Sequence, residues 1–376
     1  MDWRNEFADF DDVTYLNLAT QCPLPKVAAR AAQAAIEWKK LPHTIPDDAY
    51  FGMPDRVRAL IAKIIGAEPH EIALTSGAST GLHAVANAVE WKPDDEVLLA
   101  AGEFPAHRAT WLPMAAAGRI RVKIVEPQGR FLTAEDFFPH IHAKTRLIST
   151  SLVRFDNAVR IDAAKLAAAC HRAGAWLLLD VSQCCGAVPM NTRQLGADFL
   201  VCAGYKWLLS PYGSGFLWAS DAATNAVRGG PIYWQAMEGA AQFHALGGEV
   251  KPARGARRWD AAETANFFNV AAMEKGIEFV LQAGVENIWN HNNRLMQLMI
   301  ERLPRDRCVL ASPEDSAQRG PYACIAARNP EKTGELYERL RAAKVIVGLR
   351  EGSIRVAPHL FNSERDIDRL ITTISV

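Results

Sequence analysis

The 376-residue chain has no excess of charge: 42 basic residues balance 42 acidic ones. Net charge therefore draws it neither to nucleic acid nor to an anionic membrane. One local basic knot remains, at Arg254, Arg257 and Arg258. No uninterrupted apolar run reaches the about 18 to 20 residues that a bilayer-crossing helix requires. The opening MDWRNEFADF lacks the basic stretch and apolar core of a secretion signal, so a cytoplasmic protein is expected. None of the seven cysteines forms a C-x-x-C pair, which argues against a zinc site and against a disulfide framework. Internal repeats and low-complexity segments are missing as well.

What is present is the composition of an ordinary globular protein, 49% hydrophobic and 22% charged. The length suits two domains, or one large domain with a smaller companion. From about residue 53 to 220, short apolar runs alternate with helical stretches. Strands are predicted at Ile72–Thr75, Glu96–Ala100, Arg121–Val125, Arg146–Ser151, Trp176–Val181, Phe199–Ala203 and Gly215–Trp218. Several are apolar on both faces, as strands covered by helices on each side are. The clearest helix is Ala163–Ala173, with Asp162 as N-cap and Gly174 as its stop. Such alternation implies a mostly parallel, doubly wound α/β sheet.

Gly229–Arg258, rich in glycine, proline and aromatics, reads as a long functional loop. A helical stretch follows from about Ala261 to Leu303, broken near Gly284 and stopped by Pro304. The rest reads as a smaller α+β unit with strands near Tyr322–Ala327, Val345–Leu349 and Ser353–Ala357. A capping-box signature at Ser363–Asp366 opens its last helix.

Ligands in an open α/β sheet sit beyond the carboxyl ends of the strands. Three polar groups fall there: Asp180 ends AWLLLD, Gln183 follows in the next turn, and Lys206 comes directly after FLVCAGY. An acid at the end of so apolar a strand needs a partner. One reading is a buried ion pair of Asp180 with Lys206 or with an arginine. The sharper one is that Asp180 meets the protonated ring nitrogen of pyridoxal 5′-phosphate (PLP), with Lys206 supplying the Schiff base. That cofactor also needs a phosphate cradle. Thr75-Ser76-Gly77-Ala78-Ser79-Thr80-Gly81, between a strand and the helical LHAVANAVEW, is a ready anion site. The same residue types also serve as plain helix caps. A dinucleotide-binding dehydrogenase would carry G-x-G-x-x-G here, where this chain has SGASTG.

These elements occur together and in order in the class V aminotransferases, and the chain resembles that family over nearly its whole length. The family includes cysteine desulfurases, selenocysteine lyases, kynureninases and isopenicillin N epimerase. The resemblance begins at Tyr15-Leu16-Asn17-Leu18-Ala19 and passes through Ser76–Ser79 and Glu103-Phe104-Pro105. It peaks in LLLDVSQCCGAVPMNTRQLGADFLVCAGYKWLLSPYGSGFLW and ends with Ser353–His359. It implies the PLP-dependent transferase fold of type I. A mostly parallel seven-stranded sheet is then expected in a large α/β domain over residues 16–255, with a small α+β domain from 1–15 and 256–376.

The same resemblance implies roles for single residues. Lys206 corresponds to the Schiff-base lysine, Asp180 to the partner of the pyridine nitrogen, and Gln183 to the donor to the phenolic oxygen. Ser79 corresponds to the phosphate-binding hydroxyl, with the backbone of Ala78 beside it, and Tyr205 to a phosphate-binding tyrosine. Phe104 stands where a ring stacks on the pyridine, and Arg355 where an arginine grips the substrate carboxylate. Plainer readings are core packing for Phe104 and a structural arginine for Arg355. Thr264 and Asn266 lie in the region that reaches a neighbouring subunit's phosphate, which implies a homodimer with shared sites.

Departures from the family pattern narrow the activity. Ala203 replaces a phosphate-binding serine, and Val153–Asn157 does not reproduce the asparagine that touches the cofactor in desulfurases. Desulfurases place a nucleophilic cysteine in the loop before the carboxylate arginine. This chain has Val347-Gly348-Leu349-Arg350-Glu351-Gly352 there, and Cys324 upstream reads as core. Desulfurase activity is not expected. Arg350 is expected to pair with Glu351 or to face solvent, a third option being contact with an acidic substrate. The expected function is a PLP-dependent aminotransferase working at the α-carbon of an amino-acid substrate. The alternative is a β-lyase, hydrolase or epimerase, kynureninase- or isopenicillin N epimerase-like.

Overall fold

The computed structural model describes residues 3–229, 233–245 and 251–376. In chain order the elements open with β1 (Thr14–Tyr15), α1 (Lys26–Lys40), α2 (Gly52–Ile65), β2 (Ile72–Thr75) and α3 (Ala78–Ala88). Next come β3 (Glu96–Ala100), α4 (Pro105–Ala116), β4 (Arg121–Val125), β5 (Thr145–Ser151), α5 (Ala163–Arg172) and β6 (Trp176–Asp180). The alternating section closes with α6 (Thr192–Leu195), β7 (Phe199–Ala203), β8 (Gly215–Ala219) and α7 (Asp221–Ala226). Beyond it lie α8 (Phe267–Ala283), α9 (Val285–Arg302), β9 (Cys308–Leu310), β10 (Ala323–Ala327) and α10 (Thr333–Ala342). The last elements are β11 (Val345–Ile346), β12 (Gly348–Arg350), β13 (Ser353–Val356) and α11 (Glu364–Ser375).

All seven strands anticipated from apolar runs form, within one residue at either end. They make a single sheet in the order β2-β8-β7-β6-β5-β3-β4. Only β8 runs antiparallel; the other neighbours are parallel. The central β6 and β7 are buried on both faces, which is why their sequences are continuous apolar runs rather than alternating ones. Asp162 caps α5 by accepting from the Lys165 N–H at 3.0 Å. Ser363 and Asp366 form the expected capping box at α11.

A second sheet, β12-β13-β10-β9, is antiparallel throughout. Here the sequence reading needs correction. Val345–Leu349 is not one strand. Its first half is β11, which pairs in parallel with β1 from the N-terminus, and its second half is β12, which pairs with β13. A remote partner claims half of the run, which no local pattern reveals. The helix expected from Ala261 starts only at Phe267, because Asn266 turns non-helical and caps α8, its side chain accepting from the Asn269 N–H. Glu263 just before it has a positive φ of 56°. Strand β9 was not anticipated; three residues between prolines carry too little pattern to read.

The described part of the Gly229–Arg258 segment holds short 3-10 turns and one antiparallel bridge, Met237 to Pro252, while residues 230–232 and 246–250 lie outside the described residues. Two arginines of the basic knot are structural: Arg257 is 3.6 Å from Asp55, and Arg258 donates to the Val227 carbonyl at 3.3 Å. Among the described residues, no helix is long and apolar enough to cross a membrane.

Where β7 and β8 meet the start of α3, the backbone is tight. A Cβ at Gly215 would lie 2.3 Å from the Cys202 carbonyl oxygen and 2.7 Å from the Gly77 Cα. Gly77 itself has a φ of 150°, a conformation open to glycine. Gly215→Ala is therefore expected to cost about 1–3 kcal/mol through overpacking. Urea unfolding reads this directly, and an unchanged midpoint would show that the strand end tolerates a side chain.

Candidate active site

From β2 the chain crosses to the far side of the sheet, places β3 and β4 outward, then returns through β5, β6 and β7. The reversal between β3 and β5 opens a crevice at the carboxyl ends of the strands. A cavity of about 250 Å³ lies at these strand ends, and it brings together Ala78, Ser79, Phe104, Asp180, Gln183, Tyr205 and Lys206.

One wall is the N-terminus of α3. Gly77, at its N-cap, has no side chain to close the first turn, so the N–H groups of Ala78 and Ser79 face the cavity without a cap. Ser76 and Thr80 pair their hydroxyls at 2.6 Å, whereas the exposed Ser79 keeps its own for a ligand. Free N–H groups at a helix start attract an anion.

The opposite wall carries Asp180, at the end of β6. Its Oδ1 accepts from the Ser182 N–H at 2.7 Å, and its Oδ2 lies 3.7 Å from His107 Nε2. The latter is an ion-pair distance, too long for a hydrogen bond. His107 is fully buried on α4, and its Nδ1 meets the Ser149 hydroxyl at 2.8 Å. Glu103, one turn earlier, accepts from the Phe104 N–H and from Thr150 and Ser151. Burial alone would raise both carboxyls and neutralise the imidazole. Charge complementarity outweighs it. Asp180 is held below the usual carboxylate range by His107, the Ser182 N–H and Lys206, and Glu103 likewise by His107, Arg154 and its hydrogen bonds. Against burial, which would lower it, the His107 imidazole is pushed up by Glu103 and Asp180.

Lys206 follows β7 and is buried, with Nζ 5.4 Å from the Phe104 ring centroid and 5.5 Å from that of Tyr205. The Asp180–Lys206 ion pair considered from the sequence does not form; the imidazole of His107 stands beside Asp180 instead. Burial lowers the Lys206 amine to about 8, with Asp180 opposing the shift and Arg355 and Arg350 adding to it. Gln183 donates one amide N–H to the Ala19 carbonyl at 3.1 Å and accepts from Trp207 at 3.4 Å, which leaves a second N–H for a ligand. Ser182 accepts from the Ala203 N–H at 2.8 Å and ties the ends of β6 and β7 together. Phe104 packs edge-on against Phe155, at 5.2 Å, and both line the cavity.

Two predicted residues stand elsewhere. Arg355 is behind the wall: its Nη1 donates to the Phe155 carbonyl at 3.0 Å and its Nη2 to the Thr20 hydroxyl at 2.6 Å. Thr264 donates to the Ala261 carbonyl and lines a separate hollow of about 110 Å³, together with Asn266 and with Thr75 and Ser76 from the cradle. Arg350 does not pair with Glu351 and is not simply solvated. It donates to the Leu349 carbonyl at 2.7 Å and points at Thr20.

Sequence reading missed His107 and Thr20. Glu103 precedes α4 and His107 lies in its first turn, so helical spacing does not announce the pair. Thr20 adjoins the Tyr15–Ala19 stretch but shows no motif of its own.

Sheet order and cavity together place the chain among PLP-dependent enzymes of fold type I. The model of the family Aminotransferase class-V matches residues 19–370, and the chain belongs to that family. An uncharacterized aminotransferase, YcbU of Bacillus subtilis, is 26% identical over 314 residues, covering 84% of this chain and 81% of that protein. Isopenicillin N epimerase of Streptomyces clavuligerus is 25% identical over 379 residues, covering 95% and 93%. A C-DES mutant with glycine covalently linked to the PLP cofactor superposes with a TM-score of 0.89 at 20% identity, covering 99% of this chain and 98% of that one. The cofactor of the chain is pyridoxal 5′-phosphate, and the residues fit it: an amine without a counter-ion, an acid held ionised and an uncapped helix start surround one cavity.

The lowered basicity of Lys206 is testable in cofactor-free protein. Amine-directed labelling of Lys206 is expected to rise through about pH 8, whereas exposed lysines follow about 10.4. Between these values the unfolded chain holds a proton that the folded one lacks, so this group makes stability rise with pH across that window. Labelling of Lys206 in step with exposed lysines would refute the assignment.

Proposed function

We propose that this enzyme moves the amino group of a carboxylate-bearing amino acid, working at the α-carbon through Lys206. The observation that carries the reading is the buried Lys206 amine, lowered to about 8 with no ion partner, in one cavity with the ionised Asp180. Bound there, PLP supplies an electron sink for the pair released when a bond at the α-carbon breaks. In this reading the first turn of α3 and the Ser79 hydroxyl hold the phosphate, helped by Tyr205. Gln183 donates to the phenolic oxygen, Phe104 covers the ring face and Asp180 keeps the ring nitrogen protonated.

Lys206 has two tasks. It would hold the cofactor covalently, and as a free amine, lowered to about 8, it would take and return the proton at the α-carbon. His107 acts through Asp180 by keeping its charge, and Ser149 fixes the imidazole. Arg355 holds the substrate carboxylate, and Thr264 completes the phosphate site of a neighbouring subunit in a cytoplasmic homodimer. A second reading, a β-lyase, hydrolase or epimerase, is favoured by one observation: Phe104 and Tyr205 both flank Lys206, the pairing of kynureninase-like members. A desulfurase is disfavoured because all seven cysteines are buried and none lines the cavity.

Borohydride reduction of the yellow holoenzyme followed by peptide mapping is expected to label Lys206, and label on another lysine would sink the proposal. Added 2-oxo acid then separates the readings: turnover that depends on it, with amino-group transfer, marks a transaminase, and turnover without it marks the lyase or epimerase. Asp180→Ala is expected to fold and to lose on the order of a hundredfold or more in turnover. Near-parental turnover would reduce Asp180 to an ion-pair partner of His107.

A further inference from the structure

We propose that Arg350 is a second substrate-binding arginine, and that it closes with Arg355 on one carboxylate of the substrate. The proposal rests on the carboxylate-holding role of Arg355 given above. Its basis is the hairpin of β12 and β13, in which Gly348 faces Arg355, Leu349 faces Ile354 and Arg350 faces Ser353. Residues directly opposite share a face of the ribbon, and the face alternates along each strand. Arg350, Gly348 and Arg355 therefore project to one side, while Ile354 goes to the other and joins the core of the small sheet.

Glycine at 348 makes room between the two arginines. A Cβ there would come within 3.5 Å of Arg355 Nε and 3.0 Å of Asn17 Oδ1. Both guanidinium groups converge on one hydroxyl: Thr20 Oγ1 lies 2.6 Å from Arg355 Nη2 and 3.5 Å from Arg350 Nη2. The two nitrogens are thus close enough to reach the two oxygens of a single carboxylate. Thr20 in turn donates to Asn17 Oδ1 at 2.7 Å, which fixes its position.

Charge makes the same case. Among the described residues neither arginine has an acidic partner; their bonds go to the Leu349 and Phe155 carbonyls and to Thr20. Arg355 is 2% exposed, and its Nε has no hydrogen bond. An acid is at hand in Glu351, yet it sits in the turn with a φ of 45° and faces solvent. Two like charges brought together around a hydroxyl repel, and an anion between them removes the penalty. Both charges are also felt at Lys206, where each favours the neutral amine, so the pair lies in electrostatic reach of the reacting group.

Calorimetric titration of the holoenzyme with propionate and with succinate, acids that lack the amine, tests this. Arg350→Ala is expected to weaken both acids by the same factor, on the order of tenfold or more. Arg350→Gln, close in size and uncharged, is expected to do the same and serves if the alanine variant fails to fold. A loss confined to succinate would mean that Arg350 reads a second anion, and would overturn the proposal. Unchanged affinity for both acids, with Arg355→Ala still losing them, would overturn it too and leave the role of Arg355 standing. If neither arginine matters to either acid, both readings fall.

Discussion

Positive charge is buried around the cavity without negative charge to match it, and the remaining features of the site follow from that imbalance. The acids have partners: Asp180 the Ser182 N–H and, at 3.7 Å, His107, and Glu103 four hydrogen bonds. Lys206, Arg355 and Arg350 have no acid of their own. In the proposed reading, a low-dielectric site with cations in excess favours a phosphate at the helix start and a carboxylate at the arginines. Burial lowers the Lys206 amine to about 8, and the nearby arginines add to that shift against the pull of Asp180.

The sheet makes this arrangement geometrically possible. Parallel strands put Ser151, Asp180 and Ala203 at one edge, and the reversal between β3 and β5 opens the edge into a crevice. Glu103 and His107, at the start of α4, are buried beside the strand ends, where they meet Ser151 and Ser149. The single antiparallel strand, β8, lets Gly215 lie against Gly77 and seats the start of α3. From the other side, the second sheet delivers its arginine hairpin to a threonine of the N-terminal segment. Residues far apart in sequence thus meet at one point, and tightly packed backbone holds them there.

The large sheet was legible because its signal is local. Each strand is a short apolar run closed by polar or glycine residues, and helices announce themselves by caps such as Asp162 and Ser363. Asp180, Gln183 and Lys206 stood out for a related reason, as polar residues at or just past the abrupt ends of apolar strands, whereas Phe104 and Tyr205 were named only through the family resemblance; the fold brings them to one cavity. What stayed hidden depends on remote partners. Pairing with Thr14–Tyr15 divides Val345–Leu349, and the convergence of Arg350 and Arg355 on Thr20 needs both the hairpin register and an N-terminal residue. His107 was overlooked because a buried histidine is ordinary until the carboxylates on either side of it are seen.

The turn that joins β12 and β13 is only Glu351 and Gly352, both at positive φ, the short primed type that matches strand twist. A chain extends by at most about 3.3–3.6 Å per residue, so so short a connection cannot swing a side chain far from the hairpin tip. Lengthening it by one residue would also turn Arg350 to the opposite face, toward the core. The hairpin is thus a short, register-locked arm, and under the proposed reading any gain of mobility there would weaken the hold of Arg350 and Arg355 on a carboxylate.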